Sequence, residues 1–113
     1  MTLCEVRTRE DITIVLMPLQ IDHIAAMTLE HELQELVLDK PVGLLCDLSQ
    51  TKYISSSGLR VLLLVAKAVK SGGGRFGVFS TTPFVDHIFA VSGFARIFSI
   101  YRTEEEAVRA VLH

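Results

Sequence analysis

The sequence predicts an α/β fold: a mixed sheet of about four to five strands with about four helices packed on it. Three observations carry this. Apolar residues recur with the strand period of two in some segments and with the helix period in others. From residue 42 onward the two kinds of segment alternate, the order found where helices cover a sheet. Half of the 113 residues are apolar and only 21% are charged, so a chain of one-domain length can bury a core without disulfides or metal.

Each element has its own signal. Residues 3–9 (LCEVRTR) alternate apolar and polar and read as a strand. Glu10-Asp11 supplies a turn, and the β-branched run ITIVLM (12–17) is a second strand that pairs with the first and ends at Pro18. From Asp22, an N-cap residue type, Ala26, Leu29, Leu33, Leu36 and Val37 recur at helical spacing. Glu30, Glu32, Gln34 and Glu35 take the wetter side, and the helix stops before Pro41. VGLLCDL (42–48) is a near-continuous apolar run, suited to a strand covered on both faces. SQTKYIS reads as a loop. SSGLRVLLLVAKAVKS is long enough, and rich enough in Leu and Ala, for a helix that Ser71-Gly72-Gly73-Gly74 ends. RFGVFS (75–80) is a strand. Thr82-Pro83 opens the short helix FVDHIFAV, which runs to Ser92-Gly93. RIFSIY (96–101) is the last strand, and Thr103 with Glu106 has capping-box spacing ahead of EAVRAVL. The whole chain, 1–113, reads as one domain.

Bulk charge excludes several functions. The net charge is −2 with acids and bases mixed, so there is no basic stripe for nucleic acid and no polybasic membrane anchor. Cys4 and Cys46 read as free thiols, Cys46 as a small hydrophobe within its apolar run. The N-terminus MTLCEVRTRED has no apolar signal-peptide core. The most apolar stretch, Leu59 to Val69, is too short to span a bilayer and carries Arg60 and Lys67. A cytoplasmic location is expected.

Little in the chain reads as catalytic. The glycine triplet 72–74 runs from helix to strand, the wrong direction for a phosphate loop. His23, His31, His87 and His113 form no spaced metal set with cysteines or acids. Ser56 lacks the G-x-S-x-G elbow of a hydrolase. Neither enzyme activity nor a metal or cofactor is expected.

The stretch YISSSGLR (53–60) is the unusual one. Its serines lie where a loop meets a helix N-terminus, where unpaired backbone N–H groups accept oxygen ligands and the helix dipole favours anions. Capping needs one serine and leaves two. A phosphate on another would gain backbone hydrogen bonds and change the surface without unfolding the domain. The helix that follows is apolar nearly all round. Leu62, Val65, Ala66 and Val69 make the core stripe, flanked by Leu59 and Leu63, while Val61 and Leu64 fall mainly elsewhere. Either neighbouring helices cover those positions or they form a partner surface beside the serines.

Taken in order, these stretches resemble the STAS domain of bacterial anti-sigma-factor antagonists. The resemblance rests on LLCDLSQTKYISSSGLRVLLL, on SGGGRFGVFS, on VSGFARIF, on the acidic TEEEAVRAV and on Ile21-Asp22 before the first helix. It covers nearly the whole chain and implies a non-catalytic partner-switching protein. The position matching the family's phosphorylated serine is Ser56, ranked ahead of Ser57 and Ser55. Gly58 matches the motif glycine, and Asp22 and Asp47 match acidic or polar positions near the site. With Ser55, Ser57, Leu59, Val61 and Leu64 these make the expected partner-binding set. The implied partners are a serine kinase that also acts as an anti-sigma-factor-like protein, and a serine phosphatase, with the chain itself a monomer or weak dimer. Ser55 stands where the family has aspartate, and Leu19 where it has glycine. The alternative implied by the resemblance is a constitutive STAS subunit of a transport or lipid-transport complex, never phosphorylated.

Overall fold

A computed structural model describes residues 3–112; His113 of the histidine reading lies outside them. The elements run β1 (Glu5–Arg9), β2 (Ile12–Leu16), β3 (Gln20–Ile21), α1 (His23–Val37), β4 (Gly43–Asp47), β5 (Tyr53–Ile54), α2 (Ser56–Ser71), β6 (Arg75–Phe79), α3 (Pro83–Ser92), β7 (Ser99–Tyr101) and α4 (Glu104–Leu112). Five strands form one mixed sheet in the order β1-β2-β4-β6-β7. β1 is antiparallel to β2, and every other neighbouring pair is parallel. The mixed sheet with four helices is the architecture expected from the sequence.

The hairpin turn is Glu10-Asp11, both at positive φ (51° and 68°), the backbone of a tight two-residue connection between twisted strands. Side chains alternate across the sheet. Val15, Leu44, Cys46 and Val78 face α1, α2 and α3, where Leu29, Leu33, Leu62, Val65 and Phe89 meet them. Ile12, Ile14, Leu45 and Phe79 face α4, packing on Ala107, Val108 and Val111. That double cover is why 42–48 reads as one apolar run. Arg7 and Arg9 of β1 reach across to Glu104 and Glu105 of α4 and tie the antiparallel edge to the helix.

Two expectations need correction. Residues 53–54 are not loop: they pair in parallel with Gln20–Ile21 as a separate two-stranded ribbon. Two residues give no readable period, and the pairing depends on contacts across about thirty residues of chain. α1 ends at Val37, before Pro41 as expected; Leu38, Asp39 and Lys40 then close turns onto Glu35, Leu36 and Val37, with Lys40 at φ 49°. The last strand is 99–101, not 96–101. After Gly93 at φ 83°, Phe94–Arg96 form a 3-10 turn. Phe98 is then drawn into an edge-on aromatic cluster, with ring centroids 5.5 Å from Phe89, 5.6 Å from Phe76 and 6.1 Å from Phe94.

Candidate functional site

The small ribbon is what builds the site. β3 leads directly into α1 and β5 directly into α2, so their parallel pairing sets the two helix N-termini side by side. Lys52 donates its N–H to the Leu19 carbonyl (2.7 Å) and Ser55 to the Ile21 carbonyl (2.8 Å), fixing that register. Thr51, wholly buried, anchors the approach. Its hydroxyl donates to the Pro18 carbonyl at 2.9 Å, while its own carbonyl accepts from the Thr82 hydroxyl at 2.9 Å. Gly58 lets α2 sit close to the ribbon. A Cβ there would lie 2.7 Å from Ile21 Cγ2 and 2.8 Å from Ile54 Cγ1.

The three serines differ in what they do. Ser55 is the N-cap of α2, its Oγ accepting from the Gly58 N–H at 3.1 Å. Ser57 Oγ lies 2.9 Å from His23 Nδ1 at the start of α1, a hydrogen bond between the two helix N-termini. Ser56 is exposed and makes no side-chain hydrogen bond among the described residues. It occupies the first position of α2, where the helix dipole is positive and no acidic residue stands in the first turn. Asp22 caps α1, its carboxylate accepting from the Ala25 N–H at 2.8 Å, and stays exposed beside the serines. Asp47, at the end of β4, is half-buried and accepts from the Ser49 N–H at 2.9 Å.

The apolar members of the expected partner set are placed differently. Leu59 and Val61 are only 7% and 5% exposed and belong to the core with Gly58. Buried there, these two present no surface. Leu64 is half-buried. The exposed apolar groups near the serines come from elsewhere: Ile24 and Met27 on α1, 75% and 67% exposed, with Leu19 and Tyr53 on the segments leading to and through the ribbon. Sequence reasoning missed them, although Ile24 and Met27 lie three residues apart and outside the Ala26–Leu29–Leu33 stripe, an apolar pair on a wet helix face.

Among the described residues no group of three or more His, Cys, Asp or Glu is arranged to hold a metal. Neither thiol is activated: burial, with Glu32 adding charge and a hydrogen bond, pushes Cys4 up to about 11, and burial raises Cys46 further. What remains is an exposed hydroxyl on a positive helix end, ringed by carboxylate, imidazole and apolar side chains.

Comparison with known proteins supplies the family. The STAS domain profile matches residues 4–107, and the chain belongs to that family. BtrV of Bordetella bronchiseptica, named among the anti-sigma factor antagonists, is 39% identical over 85 residues, 75% of this chain and 73% of BtrV. The anti-sigma-F factor antagonist RsfB of Mycobacterium tuberculosis is 28% identical over 92 residues, covering 81% and 75% of the two chains. An anti-sigma factor antagonist from Mycobacterium paratuberculosis superposes with a TM-score of 0.89 over 97% of this chain and 93% of its own, at 27% identity. The chain is thus an anti-sigma-factor-antagonist-like STAS protein, related to regulators. No helix among the described residues is long and apolar enough to cross a membrane.

Proposed function

We propose that this chain is the phosphorylatable antagonist of a bacterial partner switch. A partner serine kinase that also acts as an anti-sigma-factor-like protein binds it and phosphorylates Ser56; a partner phosphatase reverses the step. The observation that supports Ser56 over its neighbours is that Ser55 and Ser57 already spend their hydroxyls on the α2 cap and on His23, while the Ser56 hydroxyl is unengaged. The relatives' names, BtrV and RsfB among them, support an anti-sigma factor as the kind of partner.

The chemistry belongs to the kinase. Ser56 Oγ takes the γ-phosphoryl group of ATP, ADP leaves, and the hydroxyl proton passes to a base of the kinase. Hydrolysis by the phosphatase restores the hydroxyl and releases inorganic phosphate. The phosphoserine brings about −1.5 to −2 charges to a helix end already flanked by Asp22. At a partner interface drawn from Asp22, Ser55, Ser57, Leu64 and the exposed Leu19, Ile24, Met27 and Tyr53, that charge is desolvated against like charge. A penalty of about 3–4 kcal/mol weakens binding by two to three orders of magnitude, enough to exchange partners without refolding.

Phosphopeptide mapping of the protein from its own cells tests this: a fraction modified on Ser56 is expected. The second reading, a constitutive STAS subunit, is favoured by Ser55 standing where the family has aspartate. It predicts an unmodified chain under every growth condition, with phosphatase inhibited or not, and a Ser56→Ala variant without phenotype.

A further inference from the structure

We infer that the β7 edge of the sheet is a second docking site, which takes an acidic, extended peptide segment of a partner protein as an added strand. β7 is the outer strand of the sheet on the side opposite β1. Ser80 donates its N–H to the Tyr101 carbonyl at 3.1 Å, and Tyr101 is in register with Phe79. In a parallel ladder this turns the polar groups of Ser99 and Tyr101 toward β6 and those of Ile100 outward. The amides around Ile100 are already used. Ile97 and Phe98 donate to the Phe94 carbonyl (2.9 and 3.4 Å), and Arg102 donates to Glu106 Oε2 (3.2 Å). The Ile100 N–H and C=O are thus an open pair on an exposed edge, the backbone unit that strand addition uses.

Two grooves flank this edge and share Ile97, Phe98 and Ser99. One, of about 590 Å³, lies between the 3-10 turn, α3 and β7; the other, of about 670 Å³, lies between the C-terminal half of α2, β6 and β7. Leu63, Ala66 and Phe76 give the second an apolar wall, and Ile97 stands 53% exposed between the two. The two grooves meet at Ile97, Phe98 and Ser99, so one extended segment laid along β7 reaches both.

Charge selects the chemistry of that segment. The two grooves are lined by Lys67, Lys70, Arg75, Arg96 and Arg102 against a single carboxylate, Asp86, which pairs with Arg102 at 3.0 Å. Five of the eleven bases thus gather here with one of the thirteen acids, leaving six bases and twelve acids on the rest of a net-negative chain. Lys70 in the last turn of α2 is accounted for by the helix dipole. Lys67, Arg75 and Arg96 have no carboxylate within ion-pair distance among the described residues. The second groove lies along the C-terminal half of α2, from Leu63 to Lys70, about 10 to 21 Å along the helix from Ser56. The site therefore does not depend on the phosphorylation reading.

The test is a two-dimensional NMR titration of the full, isotope-labelled chain with an end-blocked seven-residue peptide of alternating Glu and Val. Expected are shifts confined to β7 and the groove walls, slowing of Ile100 amide exchange by about tenfold or more at saturation, and an about tenfold or greater loss of affinity in the Lys67→Glu/Arg96→Glu variant. Both substitutions fall on exposed side chains, and an unchanged spectrum elsewhere verifies the variant's fold. The proposal is overturned by an absence of shifts at about 1 mM peptide. It is equally overturned if a Lys-Val peptide, or one N-methylated at alternate amides, binds as well. Binding of oligothymidylate or anionic vesicles to this face, with none of the peptide, overturns it too.

Discussion

Replacing Gly58 by alanine tests the account of how the site is assembled. The new Cβ would sit 2.7 Å from Ile21 Cγ2, 2.8 Å from Ile54 Cγ1 and 3.3 Å from the Ile21 carbonyl oxygen. Ordinary carbon contacts lie near 3.5–4.0 Å, so both isoleucines must yield by roughly 1 Å. They are 1% and 3% exposed and have no free space to swing into. Overpacking of this kind costs about 1–3 kcal/mol. Alanine returns part of that through helix propensity, at most about 0.8–1 kcal/mol and less at the third position of a helix. The net loss is about 1–2 kcal/mol. With an unfolding entropy of roughly 2.1 cal/mol/K per residue, a chain of this length loses about 4–8 °C in Tm. Circular dichroism melts, paired with urea titrations that give equal m-values, read the effect. A Tm within about 1 °C of the parent, or above it, would refute the claim that Gly58 sets the approach of α2 to the ribbon.

Other consequences are equally direct. Ser55→Asp keeps the N-cap and adds a carboxylate where the first turn has no acid, so it should stabilise by about 0.3–1 kcal/mol, seen as a Tm raised by about 1–4 °C; Ser55→Ala should cost about 1 kcal/mol instead. Thr51→Val removes a buried hydroxyl from the Pro18 carbonyl and should cost about 1–3 kcal/mol in urea unfolding. Glu104 gives a pH dependence. The hydrogen bond from Arg7 chiefly holds its carboxyl below the usual glutamate value; partial burial pushes the other way, and the hydrogen bond from Arg9 and the charges of both arginines add to the lowering. Its folded pKa is depressed, so its contribution is complete above the unfolded value of about 4.3 and is lost as pH falls through the folded pKa. Glu104→Gln should therefore lower stability at neutral pH and flatten the decline below about pH 4 in acid titrations of Tm. An unchanged acid slope would show that the Arg7–Arg9–Glu104 cluster does not couple to folding.

Legibility in the sequence followed the length of each signal. α2, β4 and the strand at 12–16 are written in runs of five or more residues whose composition marks them, and they appear within a residue or so of the expected bounds. The ribbon of Gln20–Ile21 with Tyr53–Ile54 was invisible because two residues carry no period and its stability comes from long-range pairing. The same limit blurred the site. The serine cluster was legible from its place at a helix start. Which hydroxyl is free was not, because His23 and Ser57 meet only through that ribbon. Val61 falls outside the core stripe of α2 by periodicity and is nonetheless buried, whereas Ile24 and Met27 remain bare. Periodicity assigns faces within one helix and is silent on which neighbour covers them.

The measurement that bears most directly on the central claim is calorimetric titration of the cognate anti-sigma-factor-like kinase with two forms of the intact chain, one unmodified and one carrying phosphate on Ser56. A Kd weakened 100- to 1000-fold by the phosphate, about 3–4 kcal/mol, is the predicted result. Equal affinity for the two forms would contradict the switch at Ser56.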